Sequence, residues 1–454
     1  MPVIVAAKDL PLHIGLPDEF SRMREFFRRA LFEDMNVCRT LSLKSLSEVG
    51  AVRWDQVPFE TIPAPLRWCI NVFLRGQATE MQESREICGD RLLETFCSLG
   101  LLRPARKSAP ALVCPVWLYP CDGFLIVSDR TDDPDGGSFQ PGEDVVFPAI
   151  YRGTLRFLRL LPDAQKGEAL DLCGGSGIGA LHFSKTARTV TTTDVAERSA
   201  RFADFNGHLN EIPVESVCGD LYEPLGGRQF NIISAHPPFV PSFGANMVYR
   251  DGGDTGEEVT RRIIAGLPVH LQAGGTCVIL CVARDTGEKP FEQRARDWLG
   301  EQHGKFDIIF GCEKVLSVDE VVDSMRKQGN NFGDAEAKQM SGRLRAIDTR
   351  QFAYGALFIR RHTQSAARQP LRLQLTPQGS AADFERIFAW RERVRQPDFD
   401  EWLGDSRPHL ANHLELTIRH VMSEGDLVPA EFVFSACAGF QAAMQPDGWI
   451  VPLV

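Results

Sequence analysis

The sequence predicts an α/β protein whose central portion is a parallel sheet with helices on both faces. Three observations carry that expectation. From Asp144 onward, apolar strand-like runs alternate with helical ones, a glycine-rich turn follows the first strand of the series, and successive strands end in an acidic or polar residue. Such alternation favours parallel pairing, because each helix carries the chain back to the edge where the next strand begins.

The chain has 454 residues, 43% hydrophobic and 24% charged, an ordinary globular composition with length for two or three domains. The start, "MPVIVAAKDLPLHIG", lacks the basic stretch and sustained apolar run of a secretory signal. No apolar run approaches the ~20 residues that span a bilayer, so no membrane association is expected. Twelve cysteines are scattered without a CxxC pair, many in apolar runs such as "TCVILCVA". They read as reduced, buried thiols of a cytoplasmic protein. "HLANH" can set His409 and His413 on one helix face, but no third ligand stands nearby and no metal is expected. The net charge of −10 weighs against nucleic acid as a partner.

Residues 1–131 begin with helical periodicity in "EFSRMREFFRRALFEDM" and "DRLLETFCSLGLL", then turn to short extended runs, "ALVCPVWLYP" and "GFLIVSD". Helices followed by a hairpin suggest a winged-helix-like module, a substrate lid or homodimerisation domain. "DRTDDPDGGSFQPGED" reads as a linker from its Asp, Gly and Pro content. The alternating region follows, over residues 144–362, with a charged helical insertion at 312–351. Residues 363–454 form a C-terminal α+β extension, with a helix in "ADFERIFAWRERVRQ" and strands in "AEFVFSACAGFQAAM".

Within the alternating region, "ALDLCGGSGIGAL" is a strand ending at Asp171, a turn containing Cys173, Gly175 and Gly177, and the start of a helix. Glycines there let the backbone approach a ligand that a β-carbon would block. The next strand, "TVTTTDV", ends at Asp194 and Val195, and a carboxylate at that point can accept both hydroxyls of a ribose. The third ends at "CGDL", placing Asp220 and Leu221 where an adenine would sit. The fourth, "FNIISAHPPF", breaks into His236, two prolines and Phe239. All four ends share the carboxyl edge of one sheet, where such folds bind ligands.

This series resembles the class I S-adenosylmethionine-dependent methyltransferases. The resemblance implies a Rossmann-like seven-stranded core, S-adenosylmethionine as cofactor, and binding by Asp171, Cys173, Gly175, Gly177, Asp194, Val195, Asp220, Leu221 and His236. Cys173 stands where the family's first glycine is usual. "HPPF" resembles the [Asn/Asp/Ser]-Pro-Pro-[Tyr/Phe] loop of enzymes that methylate planar nitrogens, including release-factor glutamine methyltransferases, with His236, Pro237 and Phe239 in catalytic positions. "DVVFPAIYRG" and "YRDGGDTGEEVTRR" resemble flanking segments of the small-domain methyltransferases and bring Tyr151 and Tyr249 forward as substrate contacts. Thr255 and Glu258 also have the spacing of a capping box.

Histidine replaces asparagine at the first letter of the loop. An imidazole offers one donor and one acceptor and can take a proton near neutrality, which points to a general base or an orienting group for the acceptor. The expected reaction is therefore N-methylation of a small heteroaromatic or conjugated metabolite. Two alternatives stay open: methylation of ribosomal RNA or a protein glutamine, and a non-catalytic winged-helix regulator that senses S-adenosylmethionine.

Overall fold

The computed structural model describes residues 4–106, 110–139, 142–241, 247–327, 333–364, 368–407 and 414–445; His409 and His413 lie outside them. The chain divides into two compact units, Met1–Leu158 with Asp163–Gly275, and Arg159–Pro162 with Thr276–Val454.

The first unit opens with helices α1 (Pro17–Arg29), α2 (Asp34–Thr40), α3 (Ala64–Cys69), α4 (Met81–Cys88) and α5 (Asp90–Ser98). Helix α1 shows why these residues choose a helix. Pro17 occupies its first turn, Asp18 and Glu19 face its positive end, and Arg28 and Arg29 its negative end. Glu19 accepts from the Leu16 backbone N–H at 2.8 Å, and Phe20, Met23 and Phe27 line the buried face. Phe27 packs on Phe73 and Phe73 on Phe96, with ring centroids 5.5 and 5.6 Å apart, so an aromatic cluster forms the core of this helical part.

Three short strands follow the sheet order β1 (Thr79–Glu80), β3 (Ala111–Val113), β2 (Arg103–Pro104), all antiparallel. A hairpin of β4 (Val116–Cys121) and β5 (Phe124–Asp129) comes next, turning at Asp122 and Gly123, which both have positive φ, 56° and 85°. Helix α6 (Arg152–Arg159) leads into the alternating region: β6 (Glu168–Leu172), α7 (Ile178–Phe183), β7 (Thr189–Asp194), α8 (Glu197–Asn210), β8 (Val214–Cys218), β9 (Phe230–Ala235) and α9 (Glu258–His270). The four strands are parallel in the order β9-β6-β7-β8. The chain thus steps outward from β6 to β8 and returns on the other side of β6. That reversal opens a crevice at the carboxyl ends of β6 and β9, the ligand position of such sheets.

The free edge of the hairpin is finished by side chains. Asn206 on α8 accepts from the Val127 N–H at 2.8 Å and donates to its carbonyl at 2.9 Å, and Asn210 treats Leu125 in the same way at 2.9 and 2.7 Å. Two asparagines one helical turn apart therefore act as the missing neighbouring strand.

The second unit holds most of β10 (Leu271–Thr286), then α10 (Phe291–Trp298), β11 (Phe306–Ser317), α11 (Val318–Lys327), α12 (Asp334–Ala346), β12 (Thr349–Arg361), β13 (Leu371–Leu375), α13 (Ala381–Arg393), α14 (Phe399–Asp405), β14 (Leu414–Ser423), β15 (Asp426–Cys437) and β16 (Phe440–Met444). β12 lies antiparallel between β10 and β11, β13 is parallel to β11, and β16, β15 and β14 extend the sheet. The insertion expected at 312–351 is helical in α11 and α12, but β11 continues to Ser317 before it begins. Among the described residues no helix is long and apolar enough to cross a membrane, no group of His, Cys, Asp and Glu has metal-binding geometry, and the described cysteine side chains are free thiols.

Asp122 latches the hairpin tip to α7. Its carboxylate lies 2.6 Å from His182 Nδ1 and 2.6 Å from Lys185 Nζ. Burial pushes the carboxyl up, but the bonds to His182 and Lys185 outweigh it and hold it below the usual carboxylate range. A depressed folded-state pKa stabilises above the unfolded carboxylate value and loses that contribution as pH falls through the folded one. Asp122→Asn, which still tolerates the left-handed turn, should cost about 1 kcal/mol in urea unfolding at pH 7. The difference from wild type should shrink as the pH drops below about 4; a difference independent of pH would show that the latch is not ionic.

Candidate active site

The site is built on the turn after β6. Cys173 takes φ 57°, Gly175 54° and Gly177 79°, all left-handed. The glycines have different reasons. A β-carbon on Gly174 would lie 1.9 Å from Thr192 Oγ1, and one on Gly177 2.8 Å from the Ala203 β-carbon, so both are required by packing. A β-carbon on Gly175 would meet nothing within 4 Å. Gly175 therefore keeps an open face, while its N–H donates to Asp194 Oδ2 at 3.0 Å.

That bond joins the turn to the end of β7. Asp194 also accepts from the Ala196 N–H at 2.9 Å, and burial still pushes its carboxyl up. Val5 pairs beside it: the Val5 N–H donates to Val195 O and the Glu197 N–H to Val5 O, both at 3.0 Å. Nothing in the spacing of "MPVIVAAK" announces this extra edge segment. Leu221 is buried with φ 52°, and its carbonyl accepts from Thr193 Oγ1 at 3.0 Å. Asp220 is ion-paired with Arg262 of α9 at 2.9 Å.

Asp171 lies behind the turn at 3% exposure. Ser234 of β9 donates its hydroxyl to Asp171 Oδ1 at 2.6 Å, and a β-carbon on Gly179 would sit 2.5 Å from Oδ2. Burial raises this carboxyl to about 7, against the pull of the Ser234 and Ala180 hydrogen bonds. Asp171 thereby ties β6, β9 and the start of α7 together. Ser234 was not singled out from the sequence, although a hydroxyl two residues before His236, near the end of the strand, was the available signal.

The loop that follows β9 answers for its prolines. Gly252 and Gly256 press against it, where β-carbons would lie 2.7 Å from Pro238 O and 2.5 Å from Phe239 O. The Val240 N–H donates to Arg250 O and the Gly252 N–H to Val240 O, both at 2.9 Å. The prolines themselves contribute carbonyls with no competing N–H. His236 stands at the strand end between two rings, Phe157 at 5.4 Å and 28° and Phe239 at 6.0 Å and 26°. A base working near neutrality was expected here. Burial instead drives the imidazole down to about 4. At neutral pH the ring is uncharged, a weak proton acceptor that keeps one hydrogen-bond acceptor and one donor.

Tyr151 and Tyr249, both substrate candidates, meet through a residue the sequence did not flag. Phe147 stacks on Tyr151 at 4.8 Å and on Tyr249 at 5.5 Å. Tyr151 also lines, with Arg152, Leu43, Ser47 and Glu48, a groove of about 630 Å³. Thr255 and Glu258 do pair ahead of α9, but not as a reciprocal box: the Thr255 N–H donates to Glu258 Oε1 at 3.0 Å, Thr255 Oγ1 accepts from the Glu257 N–H at 3.2 Å, and Glu257 rather than Thr255 stands at the N-cap.

An open backbone face on Gly175, beside the Asp194 carboxylate, fits a nucleoside cofactor. Comparison with known proteins agrees: residues 148–297 match the family model "Methyltransferase small domain". This segment is a class I S-adenosylmethionine-dependent methyltransferase domain. It is similar to a ribosomal protein uL3 glutamine methyltransferase of Bradyrhizobium diazoefficiens, at 27% identity over 38% of this chain and 63% of the relative. A putative protein N5-glutamine methyltransferase of Methanocaldococcus jannaschii is 27% identical over 33% of this chain and 75% of its own length. A ribosomal RNA small subunit methyltransferase C of Haemophilus influenzae is 26% identical over 34% and 45%. The chain thus spans less than two thirds of two of these three relatives. The small-molecule acceptor, and the exclusion of nucleic acid as a partner, are overturned by these comparisons, because the relatives of the methyltransferase domain are named for protein and RNA.

Cys173 occupies a left-handed position in that domain's glycine turn. Cys173→Gly should raise unfolding stability by about 0.5–1 kcal/mol, the relief of strain exceeding the added backbone entropy of glycine. S-adenosylmethionine affinity by calorimetry should be unchanged. Lower stability in the glycine variant would show that the thiol's packing outweighs the strain.

Proposed function

We propose that the protein methylates the side-chain amide nitrogen of a glutamine in another protein, using S-adenosylmethionine. The observation that carries this reading is the placement of His236: an uncharged imidazole held between Phe157 and Phe239, at the strand end beside the glycine turn. Relatives named as glutamine methyltransferases give the acceptor class.

Gly175, Asp194, Val195 and Leu221 would hold the cofactor, which when bound supplies an electrophilic methyl group. The protein's own task is then to present a nitrogen. A primary amide has two N–H groups in one plane. One can donate to the neutral His236 ring and the other to a carbonyl of the proline loop, both acceptors being fixed before the substrate arrives. Two such bonds orient the nitrogen and raise its electron density, which opposes the resonance that makes amides poor nucleophiles. Phe239 covers the flat face of the amide and excludes water. His236 accepts a hydrogen bond and rests uncharged at neutral pH; as the nitrogen–methyl bond forms and the methyl–sulfur bond breaks, S-adenosylhomocysteine leaves and the strongly acidic N-protonated amide loses its proton through the ring to water.

A second reading has its own support. The stacked rings of Tyr151, Phe147 and Tyr249 suit an unpaired nucleobase, so an exocyclic amine of ribosomal RNA is the alternative acceptor. Labelled methyl transfer into separated protein and RNA fractions of ribosomes, followed by peptide mass spectrometry, distinguishes the two. The proposal expects label on glutamine; label confined to RNA would replace it with the second reading.

His236→Ala should lower kcat by about 10²-fold, and His236→Asn, which restores a fixed acceptor, should recover most of it. Turnover of the wild type should be flat through neutral pH and fall only as the ring protonates toward about 4. An acid limb near pH 6.5 that vanishes in the alanine variant would return the base role to His236.

A further inference from the structure

We propose that residues 5–9 form a strap that fixes the Asp194 carboxylate for the ribose of the cofactor, which makes Val5 a positioning residue for cofactor binding. The segment stands apart in sequence from residues 148–297, which the methyltransferase family model covers. Val5 pairs in parallel with Ala196, in the link between β7 and α8. Its N–H donates to Val195 O and its carbonyl accepts from the Glu197 N–H, both at 3.0 Å. The Ala7 N–H donates to Glu197 Oε2 at 3.3 Å, and the Asp9 carbonyl accepts from Arg198. Arg198 is itself held, because its Nε donates to Asp129 Oδ2 of β5 at 2.7 Å and its other arm reaches Oδ1. Every residue from Val195 to Arg198 is thus bonded to or paired with the strap. Hydrogen bonds do most of this work: Ile4 is 52% exposed, Ala6, Lys8 and Asp9 are exposed too, and Val5 and Ala7 are half-buried.

Ala196 connects the strap to the acid. The Ala196 N–H donates to Asp194 Oδ1 at 2.9 Å, and the Gly175 N–H donates to Oδ2 at 3.0 Å. Each carboxylate oxygen is therefore aimed by one backbone donor and keeps lone-pair capacity for one hydroxyl of a diol. The Gly175 donor is set by the glycine turn. The Ala196 donor sits in a two-residue link between strand and helix, and Val5 brackets that link by bonding the residues on both sides of Ala196. Releasing Val5 frees one of the two donors that aim the carboxylate. A diol needs both oxygens in register, so the loss falls on ribose recognition more than on the rest of the cofactor. The inference rests on reading Asp194 as the ribose acid.

Calorimetry of the full chain with S-adenosylhomocysteine and with its 2′-deoxy form reads the ribose contribution. Val5→Pro removes the donor to Val195 and leaves the carbonyl in place. It should weaken S-adenosylhomocysteine about five- to tenfold and the 2′-deoxy form by less, narrowing the preference between them. Val5→Ala keeps both backbone bonds and should bind both ligands as wild type does. Hydrogen exchange on the unaltered protein is a second measurement. Saturating S-adenosylhomocysteine should slow exchange at the Val5 and Glu197 amides, because a strap that favours the ligand is favoured by it in return. No loss in Val5→Pro, an equal loss for the two ligands, or exchange at Val5 unchanged by ligand overturns the proposal. Asp194→Asn checks the reading beneath it and should erase the preference for the ribose form. If Asp194→Asn keeps that preference, the ribose reading falls and the strap with it. If Asp194→Asn loses the preference and Val5→Pro does not narrow it, the strap alone falls.

Discussion

The catalytic edge hangs on one buried hydrogen bond, from Ser234 to Asp171 at 2.6 Å. It joins β9 to β6 at the place where the chain reverses its direction across the sheet, and the same carboxylate reaches the start of α7. Burial makes the charged form of Asp171 costly, so its carboxyl rises to about 7, and the Ser234 hydroxyl and Ala180 N–H offset part of that cost. With the two strand ends locked, the glycine turn and the proline loop acquire a fixed separation. Methyl transfer demands such fixity, because the reactivity resides in the cofactor and the protein contributes mainly alignment.

The proline loop extends the same logic outward. Gly252 and Gly256 are glycines because the carbonyls of Pro238 and Phe239 come too close for a β-carbon. The loop is therefore clamped from behind by a segment that would otherwise look like a helix leader, and the bond between Thr255 and Glu258 ties that segment to the start of α9. Stiffness from the prolines and pressure from the glycines leave His236 with little freedom. Its environment also sets its chemistry. Two phenylalanine rings flank the imidazole, and burial lowers its pKa to about 4, so the ring is uncharged at neutral pH.

The N-terminal helices are coupled to this framework through α8. Asn206 and Asn210 complete the open edge of β5, while Phe20 of α1 packs against Phe205 at 5.3 Å. The helix that follows β7 thus carries the preceding module on its back. A change of register in α8 would be felt at Asp194, one strand end away, and in the hairpin.

Much of the core was legible in the sequence. Alternating strands and helices, Asp171, the glycine turn, Asp194, Asp220 and the proline loop are local patterns, and local backbone demands leave local traces: glycine where φ is positive, proline where a loop must be stiff, an acid at a strand end. The helix in "ADFERIFAWRERVRQ" and the strands after it were legible for the same reason. What only tertiary structure decided are the relations between distant segments. Ser234 meets Asp171, Phe157 covers His236, Phe147 joins Tyr151 to Tyr249, and Val5 lies beside Val195, none of which has a spacing to betray it. The protonation of His236 belongs to this second class, because an imidazole's pKa is set by how much water the neighbours admit, and a sequence names those neighbours only once the chain has folded.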